Sequence, residues 1–350
     1  MSIAFKLREM TPDDSPAIAS LTAESPDGGM ISFSQRFHVP LHEAFAARYG
    51  NMLGVVAEMA QRPGIVGAAR VSFGECQFEG RVLPYALLSA LMVHPDYRRQ
   101  GIATALAQRR IEWAYKRSGG DTILLANIQK GNAPSTANAK KWSNQIAGQV
   151  LVAPITMRTN GFRPTNGIRV RDANEDDLAQ SADHLNTFYR DYNFYRPHRA
   201  ETLRDWLQQT PLPTPINHYL VATDSTGRVL AGIGIHEECR LMSLHVEKAP
   251  ALMNLANRFL KIIPKSGEMR NLEVEKLWFV PGQLEAARQL WQTIRWEWRE
   301  QGSSLLCSYD PRSPISQIIE NPAWMPTTST SIALRSPVSM SEGRLIDPIL

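Results

Sequence analysis

Residues 85–106 read Tyr85-Ala-Leu-Leu-Ser-Ala-Leu-Met-Val93-His-Pro95-Asp-Tyr97-Arg98-Arg99-Gln100-Gly101-Ile102-Ala103-Thr104-Ala-Leu106. The run is apolar and β-compatible as far as Val93, and His94-Pro95-Asp96 breaks it. From Ile102 the apolar side chains recur at helical spacing: Ala103, Leu106, Ala107, Ile111 and Ala114. The stretch predicts a strand, a tight turn and a helix start. A helix start exposes amides that have no partner within the helix and carries the positive end of the macrodipole. Such a site binds phosphate. Gly101 lets the backbone approach a phosphate with no Cβ in the way. Ala103 keeps the next position small, and Arg98 and Arg99 add charge beside it.

Working outward, the chain reads as one pattern written twice. Residues 6–15 and 169–178 each give a short strand with an arginine (Arg8, Arg171), a capping residue (Thr11, Asn174) and an acidic pair (Asp13–Asp14, Asp176–Asp177). An acidic first turn after an Asn or Thr cap is how a helix begins. Leu53 to Glu58 and Ile65 to Arg70 form a predicted β-hairpin, as do Tyr219 to Thr223 and Val229 to Ile235. Ile111 to Arg117, a glycine and Ile123 to Ala126 match Ile294 to Glu300, a glycine and Leu305 to Cys307: helix, then apolar strand. Each half therefore reads β, α, hairpin, strand, helix, strand, helix and more strand, an α/β (α+β) order around a mixed sheet. The boundary is expected near Arg163–Gly167. The Ser/Thr/Pro-rich end, from about Thr327, is expected to be an extended tail or a final strand packed on the body.

Bulk composition agrees with a globular protein of two domains. The chain has 350 residues, 43% hydrophobic and 21% charged. No apolar run reaches the roughly 18–20 residues of a membrane span. The first residues carry no secretion signal pattern, so a cytoplasmic location is expected. Cys76, Cys239 and Cys307 are odd in number and far apart, which argues against a disulfide framework or a zinc site. The net charge of +4 is mild; it suits a polyphosphate ligand and gives no argument for nucleic acid. His38 and His42 are spaced i, i+4, but Pro40 between them disfavours a shared helical face, and no third metal ligand is evident. The aromatic run Phe188 to Tyr195 is expected to pack between domains.

Arg98-x-x-Gly101-x-Ala103, preceded by Val93-His94-Pro95-Asp96-Tyr97, resembles the signature of the GNAT N-acetyltransferase superfamily. The resemblance implies two tandem GNAT-like domains, each a mixed, mostly antiparallel sheet flanked by helices: residues 1–165 catalytic, 166–326 degenerate, and 327–350 the tail or final strand. It implies acetyl-coenzyme A as co-substrate, no metal, and an amine acceptor attacked in a ternary complex. The coenzyme pyrophosphate would sit on Arg98, Arg99, Gln100, Gly101, Ile102, Ala103 and Thr104. The pantetheine arm would run beside Leu91, Met92 and Val93, with further contacts from Asn127, Asn132 and Ser135. The strand at Ile123 to Ala126 should splay from the Leu88–Val93 strand to admit the thioester.

The catalytic groups are less legible. Many family members place a tyrosine on the following helix to protonate the departing thiolate; here that slot falls on Ser143, read as a helix residue, with Trp142 beside it. For the general base the candidates are Glu75, Glu79, Tyr85, Ser89 and His94, or a base acting through water. In the second half Leu277-Trp-Phe-Val-Pro281-Gly282-Gln283-Leu284 stands where the phosphate turn should be. About three residues are missing there, and Glu285 brings a negative charge, so this half is expected to bind the coenzyme poorly. Two rival readings are a non-catalytic acyl-coenzyme A sensor and an aminoacyl transferase that docks charged tRNA; the scattered Lys and Arg speak against the second. No membrane partner is expected, and self-association is left open.

Overall fold

The structure, a computed structural model, describes residues 5–25, 32–59, 62–248, 257, 264, 266–319, 321 and 327–349. The expected boundary at residue 326, and Leu350, lie outside the described residues.

The first half of the chain supplies strands β1 (Phe5–Glu9), β2 (Ser32–Phe37), β3 (Met52–Met59), β4 (Arg62–Phe78), β5 (Arg81–Val93), β6 (Ile123–Gln129) and β7 (Gln145–Thr156). Its helices are α1 (Ser15–Glu24), α2 (Leu41–Tyr49), α3 (Ile102–Ser118) and α4 (Ala133–Ala139). The second half supplies β8 (Arg169–Asp172), β9 (Tyr192–Asn193), β10 (Asn217–Thr223), β11 (Val229–His236), β12 (Met242–Lys248), β13 (Glu268–Met269), β14 (Asn271–Phe279), β15 (Ser304–Tyr309), β16 (Thr328–Arg335) and β17 (Leu345–Ile346). Its helices are α5 (Glu175–Phe188), α6 (Ala200–Gln208) and α7 (Leu284–Glu297). Mixed α/β with a large, mostly antiparallel sheet is the fold class the sequence suggested.

Twelve strands form one sheet in the order β1-β3-β4-β5-β6-β16-β7-β15-β14-β11-β10-β8. The order is nearly symmetrical about its centre. From either edge there is an opening strand, a hairpin, a central strand and a strand parallel to it (β5 with β6, β14 with β15). At the centre the halves trade strands. β7, from the first half, lies on β15, while β16, from the end of the chain, lies on β6, and the two pair with each other. Both are thereby flanked on either side, so no strand edge is exposed at the junction.

The two sheet faces in the first half carry separate cores. Ile102 and Leu106 of α3 pack against Val55, Ala57, Val66 and Ala69, while Ile18, Leu21, Leu41 and Phe45 of α1 and α2 cover Val56 and Ala68 on the other face. Of the helical stripe read from the sequence, Leu106, Ala107, Ile111 and Ala114 are on the buried face of α3 together with Ile102, while Ala103 is half-buried. The second half centres on the fully buried Trp278 and Trp291. The run after α5 both fills this core and bridges the halves. Tyr189, Tyr192 and Tyr195 belong to the second-half core, whereas Phe194 stacks on Phe78 of β4 with ring centroids 5.7 Å apart.

The repeated openings are built alike. Arg8 meets Asp14 at 2.7 Å, and Thr11 N donates to Asp14 Oδ2 at 2.8 Å. Arg171 pairs with Asp177, and Asn174 N donates to Asp177 Oδ2 at 2.8 Å. The second acid of each pair is the one used. It satisfies the amide before the helix while its charge is held by the strand arginine. Hydrogen bonding from Arg8, helped by Thr11, holds Asp14 below the usual carboxylate range. Burial pushes Asp177 the other way, yet Arg171 and the Asn174 amide bring it down on balance.

One sequence expectation is corrected. Ser143 is not a helix residue: α4 ends at Ala139, and Ser143 lies in the following turn, its amide bonded to the Ala139 carbonyl at 2.8 Å. Asn132 caps the short helix and Pro134 sits in its first turn; after Ala139 the segment tightens into turns, and Trp142 packs against the buried clusters that hold Ala139 and the α3 residues Ile111 and Ala114.

Candidate active site

Two irregularities in β5 create the central feature of the first half. Parallel pairing with β6 covers only Tyr85↔Ile123, Ala86↔Leu124 and Leu87↔Leu125. Just beyond, the β4–β5 register slips between Ala68↔Met92 and Arg70↔Ser89, and Ala90 takes a φ of 48°. This is a β-bulge, which bends its strand and re-aims it. The rest of β5, from Leu88 to Val93, has no ladder partner on the β6 side among the described residues. A gap opens there between the two strands.

Arg110 props the bulge. This α3 arginine is buried, and its Nη1 donates to the carbonyls of Arg70 and Ser89, both at 3.0 Å. Burial without a paired carboxylate pushes the guanidinium down to about 9. Sequence reading passed it over because its position continues the apolar stripe of α3. The helix comes close because Gly67 has no side chain: a Cβ there would lie 3.0 Å from Ile102 and 3.1 Å from Leu106.

β5 leads into the turn. His94 accepts the Asp96 amide and contacts Glu24 at 3.0 Å, so its ring serves to shape the turn. Arg98 Nε donates to the Val93 carbonyl at 3.1 Å, closing the loop. Gly101 has a φ of 85° and stands as the N-cap of α3 with no side chain bonded to the helix amides. That left-handed conformation is costly for a residue with a Cβ, and the space above Gly101 is open to 4 Å. Arg98, Arg99, Gly101 and Thr104 are exposed, and Ala103 is half-buried. Lys141, which the sequence reading did not select, donates to Thr104 Oγ1 at 2.9 Å. It thus adds a third cation to the first turn of α3. Free amides, an open glycine and three cations are a set that fits a diphosphate.

The other expected residues scatter. Leu91 and Met92 are half-buried and Val93 is buried on the open flank of β5. Gln100 Nε2 reaches the Asp96 carbonyl at 3.4 Å. Asn127 sits on β6 at the gap, its amide donating to the Ile349 carbonyl at 2.7 Å. Asn132 accepts the Ser135 amide at 3.1 Å, which caps α4. Tyr85 is buried at the start of the paired segment. Glu75 is exposed and pairs with Pro84, toward the opposite end of β5 from the turn. Glu79 binds Asn193 and the Ser341 amide. Neither carboxylate joins Leu91–Val93 at the gap, and Tyr85 stands at the far end of the paired segment.

The second half repeats the backbone device without the turn. β14 and β15 pair from Asn271↔Ser304 to Val274↔Cys307 and then separate. β14 slips its register against β11 between Gly232↔Trp278 and Gly234↔Glu275, and Lys276 takes a φ of 52°. Trp278, Glu275 and Lys276 follow Met92, Ser89 and Ala90 by the same 186 positions. After Pro281, however, only Gly282 and Gln283 precede α7, and Glu285 stands in its first turn.

The family match falls on the bulge and the turn. Residues 20–142 match the model of the Acetyltransferase (GNAT) family. These residues form a GNAT domain. No relative was found among the curated proteins compared. Solved structures extend the similarity of fold over nearly the whole chain. A GCN5-related N-acetyltransferase from Kribbella flavida is 16% identical, with 96% of this chain and 71% of that one covered and a TM-score of 0.53. One from Sphaerobacter thermophilus is 14% identical over 96% and 98%, with a TM-score of 0.54. The Saccharomyces cerevisiae N-myristoyltransferase, with bound myristoyl-CoA, is 9% identical over 95% and 79%, with a TM-score of 0.64. The likeness of fold thus spans both halves, although the family model stops at residue 142.

Among the described residues no helix is long and apolar enough to cross a membrane. The three cysteines are buried and unbridged, and burial pushes the thiols of Cys76 and Cys239 up to about 12 and about 11.

Proposed function

We propose that the chain transfers an acetyl group from acetyl-coenzyme A to an amine, by direct attack while both are bound. The observation that carries this reading is the joined set at one end of β5: a bulge-opened gap, an uncapped helix start behind Gly101, and Arg98, Arg99 and Lys141 around it. The diphosphate would rest on the α3 amides, and the pantetheine arm would follow the unpaired flank of β5. Holding both reactants in one site removes an entropic cost of several kcal/mol. Free backbone amides near Val93 would polarise the thioester oxygen. With residues 1–165 as the catalytic unit, residues 166–326 would be a degenerate copy that has kept the bulge and lost the phosphate turn, and residues 327–350 would tie the two together. Glu75 is not carried forward as a base. Ser143 remains a candidate proton donor to the thiolate, though from a turn.

Two measurements test the proposal. Calorimetric titration with acetyl-coenzyme A should give one site per chain, weakened about 100-fold by Gly101→Asp. A thiol-release screen against diverse amines should show turnover above the rate of hydrolysis. Binding that Gly101→Asp leaves at wild-type affinity, or coenzyme bound in the second half, defeats the proposal.

A further inference from the structure

The gap between β14 and β15 is not filled by hydrophobic side chains. It forms a cleft whose walls include Arg48, Arg196, His198, Glu275, Lys276 and Asp347. Most of these charges are already matched. Lys276 Nζ lies 2.5 Å from Glu275 Oε2, and Arg48 Nη1 lies 2.5 Å from Glu273 Oε2 and 3.3 Å from Glu238 Oε2. Two are not. Among the described residues no carboxylate closes on Arg196 within ion-pair distance, and no cation closes on Asp347. Arg196 is exposed as a residue, while burial takes its guanidinium out of bulk water. Its neighbours include the Tyr85 hydroxyl of β5. Asp347 is half-buried and positioned by its amide, which donates to the Asn193 carbonyl at 2.9 Å.

The cleft also connects with the first half. Tyr85 begins the short paired segment that ends where β5 and β6 separate. Two residues beyond Asp347, the Ile349 carbonyl accepts from Asn127 on β6. The segment 347–349 thus runs from the charged cleft to the mouth of the acyl gap.

We infer that this cleft is the acceptor site, and that it takes primary amines that also carry an anionic group, of which α-amino acids and short peptides are the simplest. Arg196 holds the anion, and Asp347 faces the ammonium. A cation and an anion that line one cleft without closing on each other are complementary to a zwitterion. The inference rests on the acyl transfer proposed for the first half. In the reaction the ammonium gives one proton to Asp347. The freed amine forms the C–N bond to the thioester carbonyl, and the C–S bond breaks. The surplus proton on nitrogen passes to the departing sulfur, leaving amide and thiol, and Asp347 returns its proton to water. Burial pushes the Asp347 carboxyl up, opposed by Arg196 and Lys276 and aided by Glu275, to about 7. The rings of Tyr189, Tyr192 and Tyr195 complete the groups around it. A carboxylate with that affinity can accept a proton near neutral pH.

The test compares the proteinogenic amino acids with the corresponding decarboxylated amines, on the full chain. Binding is read by calorimetry without coenzyme, and transfer by thiol release with acetyl-coenzyme A. Wild type should bind at least one amino acid ten-fold or more tighter than its decarboxylated partner. Arg196→Gln should erase that preference and Arg196→Lys restore part of it. Asp347→Asn should weaken binding of the amine, lower kcat about 100-fold and remove the rise in rate centred near pH 7. Equal melting shifts with acetyl-coenzyme A across all variants will show that each is folded. An amino-acid preference that persists in Arg196→Gln, or no preference in wild type, overturns the inference. So does a wild-type rate and pH profile in Asp347→Asn. Because acceptor binding is read without coenzyme, a failure of the coenzyme site alone would show separately, as the loss of the acetyl-coenzyme A shift in wild type.

Discussion

In the first half β5 and β6 part after Leu87 and Leu125, and α3 begins seven positions after Pro95. In the second half β14 and β15 part after Val274 and Cys307, and α7 begins only three positions after Pro281. The bulges match, in register and in the left-handed residue, Ala90 or Lys276. The halves differ in the turn beyond each bulge and in the side chains that line each gap. The first gap leads to a glycine-opened, positively charged helix start. The second is lined by acids and bases, of which Arg196 and Asp347 are left without an ion-pair partner among the described residues, and ends at a helix whose first turn carries Glu285. The bulge sets a geometry, a cleft between two strands, and the turn chemistry decides which ligand the cleft can hold.

The largest expected effect breaks this comparison at the turns. Gly101→Asp puts a side chain in the left-handed region and a negative charge at the phosphate site. It should weaken acetyl-coenzyme A by about 100-fold, or roughly 2.7 kcal/mol. Gly282→Asp, at a φ of 81° in the other half, should leave coenzyme affinity within about two-fold of wild type. Calorimetry decides both, and an equal loss in the two variants would mean that the second turn also takes part.

Next is the prop under the bulge. Arg110→Met removes the donor to two buried carbonyls, which costs about 1–3 kcal/mol for each group left unsatisfied and is offset by no longer burying the charge. A net loss of about 2 kcal/mol in chemical denaturation is expected. Thr293→Val, 183 positions on in α7, loses only a bond from its hydroxyl to the Gln289 carbonyl at 2.8 Å and should cost about 1 kcal/mol or less. Arg110→Met should raise the acetyl-coenzyme A KM as well; Thr293→Val should not.

Lys141→Ala sharpens the charge difference between the turns. Lys141 is exposed, so the loss should be small, about three- to five-fold in coenzyme affinity, and should fade as salt is raised. A loss independent of salt would mean that the lysine acts by packing.

The smallest asymmetry is expected at the two openings. Asp14→Asn and Asp177→Asn each remove an acid that caps a helix and binds an arginine, and each should cost about 1–2 kcal/mol. Both carboxyls are held below their ordinary range in the folded protein. Their stabilising contribution is therefore complete above the unfolded carboxylate pKa of about 3.9 and is lost as pH falls through the lower folded value. Melting curves between pH 3 and 6, within roughly that window, should show wild type losing its advantage over each variant at the acid end. A strong difference between the two variants would undo the symmetry of the halves.

The sequence alone carried the features whose causes are local. A helix start is legible at residues 98–104 because glycine, arginine and small residues act on the backbone beside them. The doubled order of strands and helices is legible because periodicity and caps are short-range, as the Arg8–Asp14 and Arg171–Asp177 pairs show. Even Ser143 was misplaced by only a few residues, since helix ends depend on packing partners such as the cluster of Ile128, Ala139 and Ala333 against which Trp142 packs.

Only the tertiary structure decided the rest. Lys141 reaches Thr104, Arg110 reaches the bulge carbonyls, and Arg196 shares a cleft with Asp347 through contacts between residues far apart in the chain. The exchange of β7 and β16 between halves is likewise invisible in either strand, because neither the Ser/Thr-rich β16 nor β7 carries a local signal that names its neighbours. A short-range signal fixes a residue's own conformation. The distant groups it meets are set by the burial of apolar faces against one another, and that is settled only when the whole sheet closes.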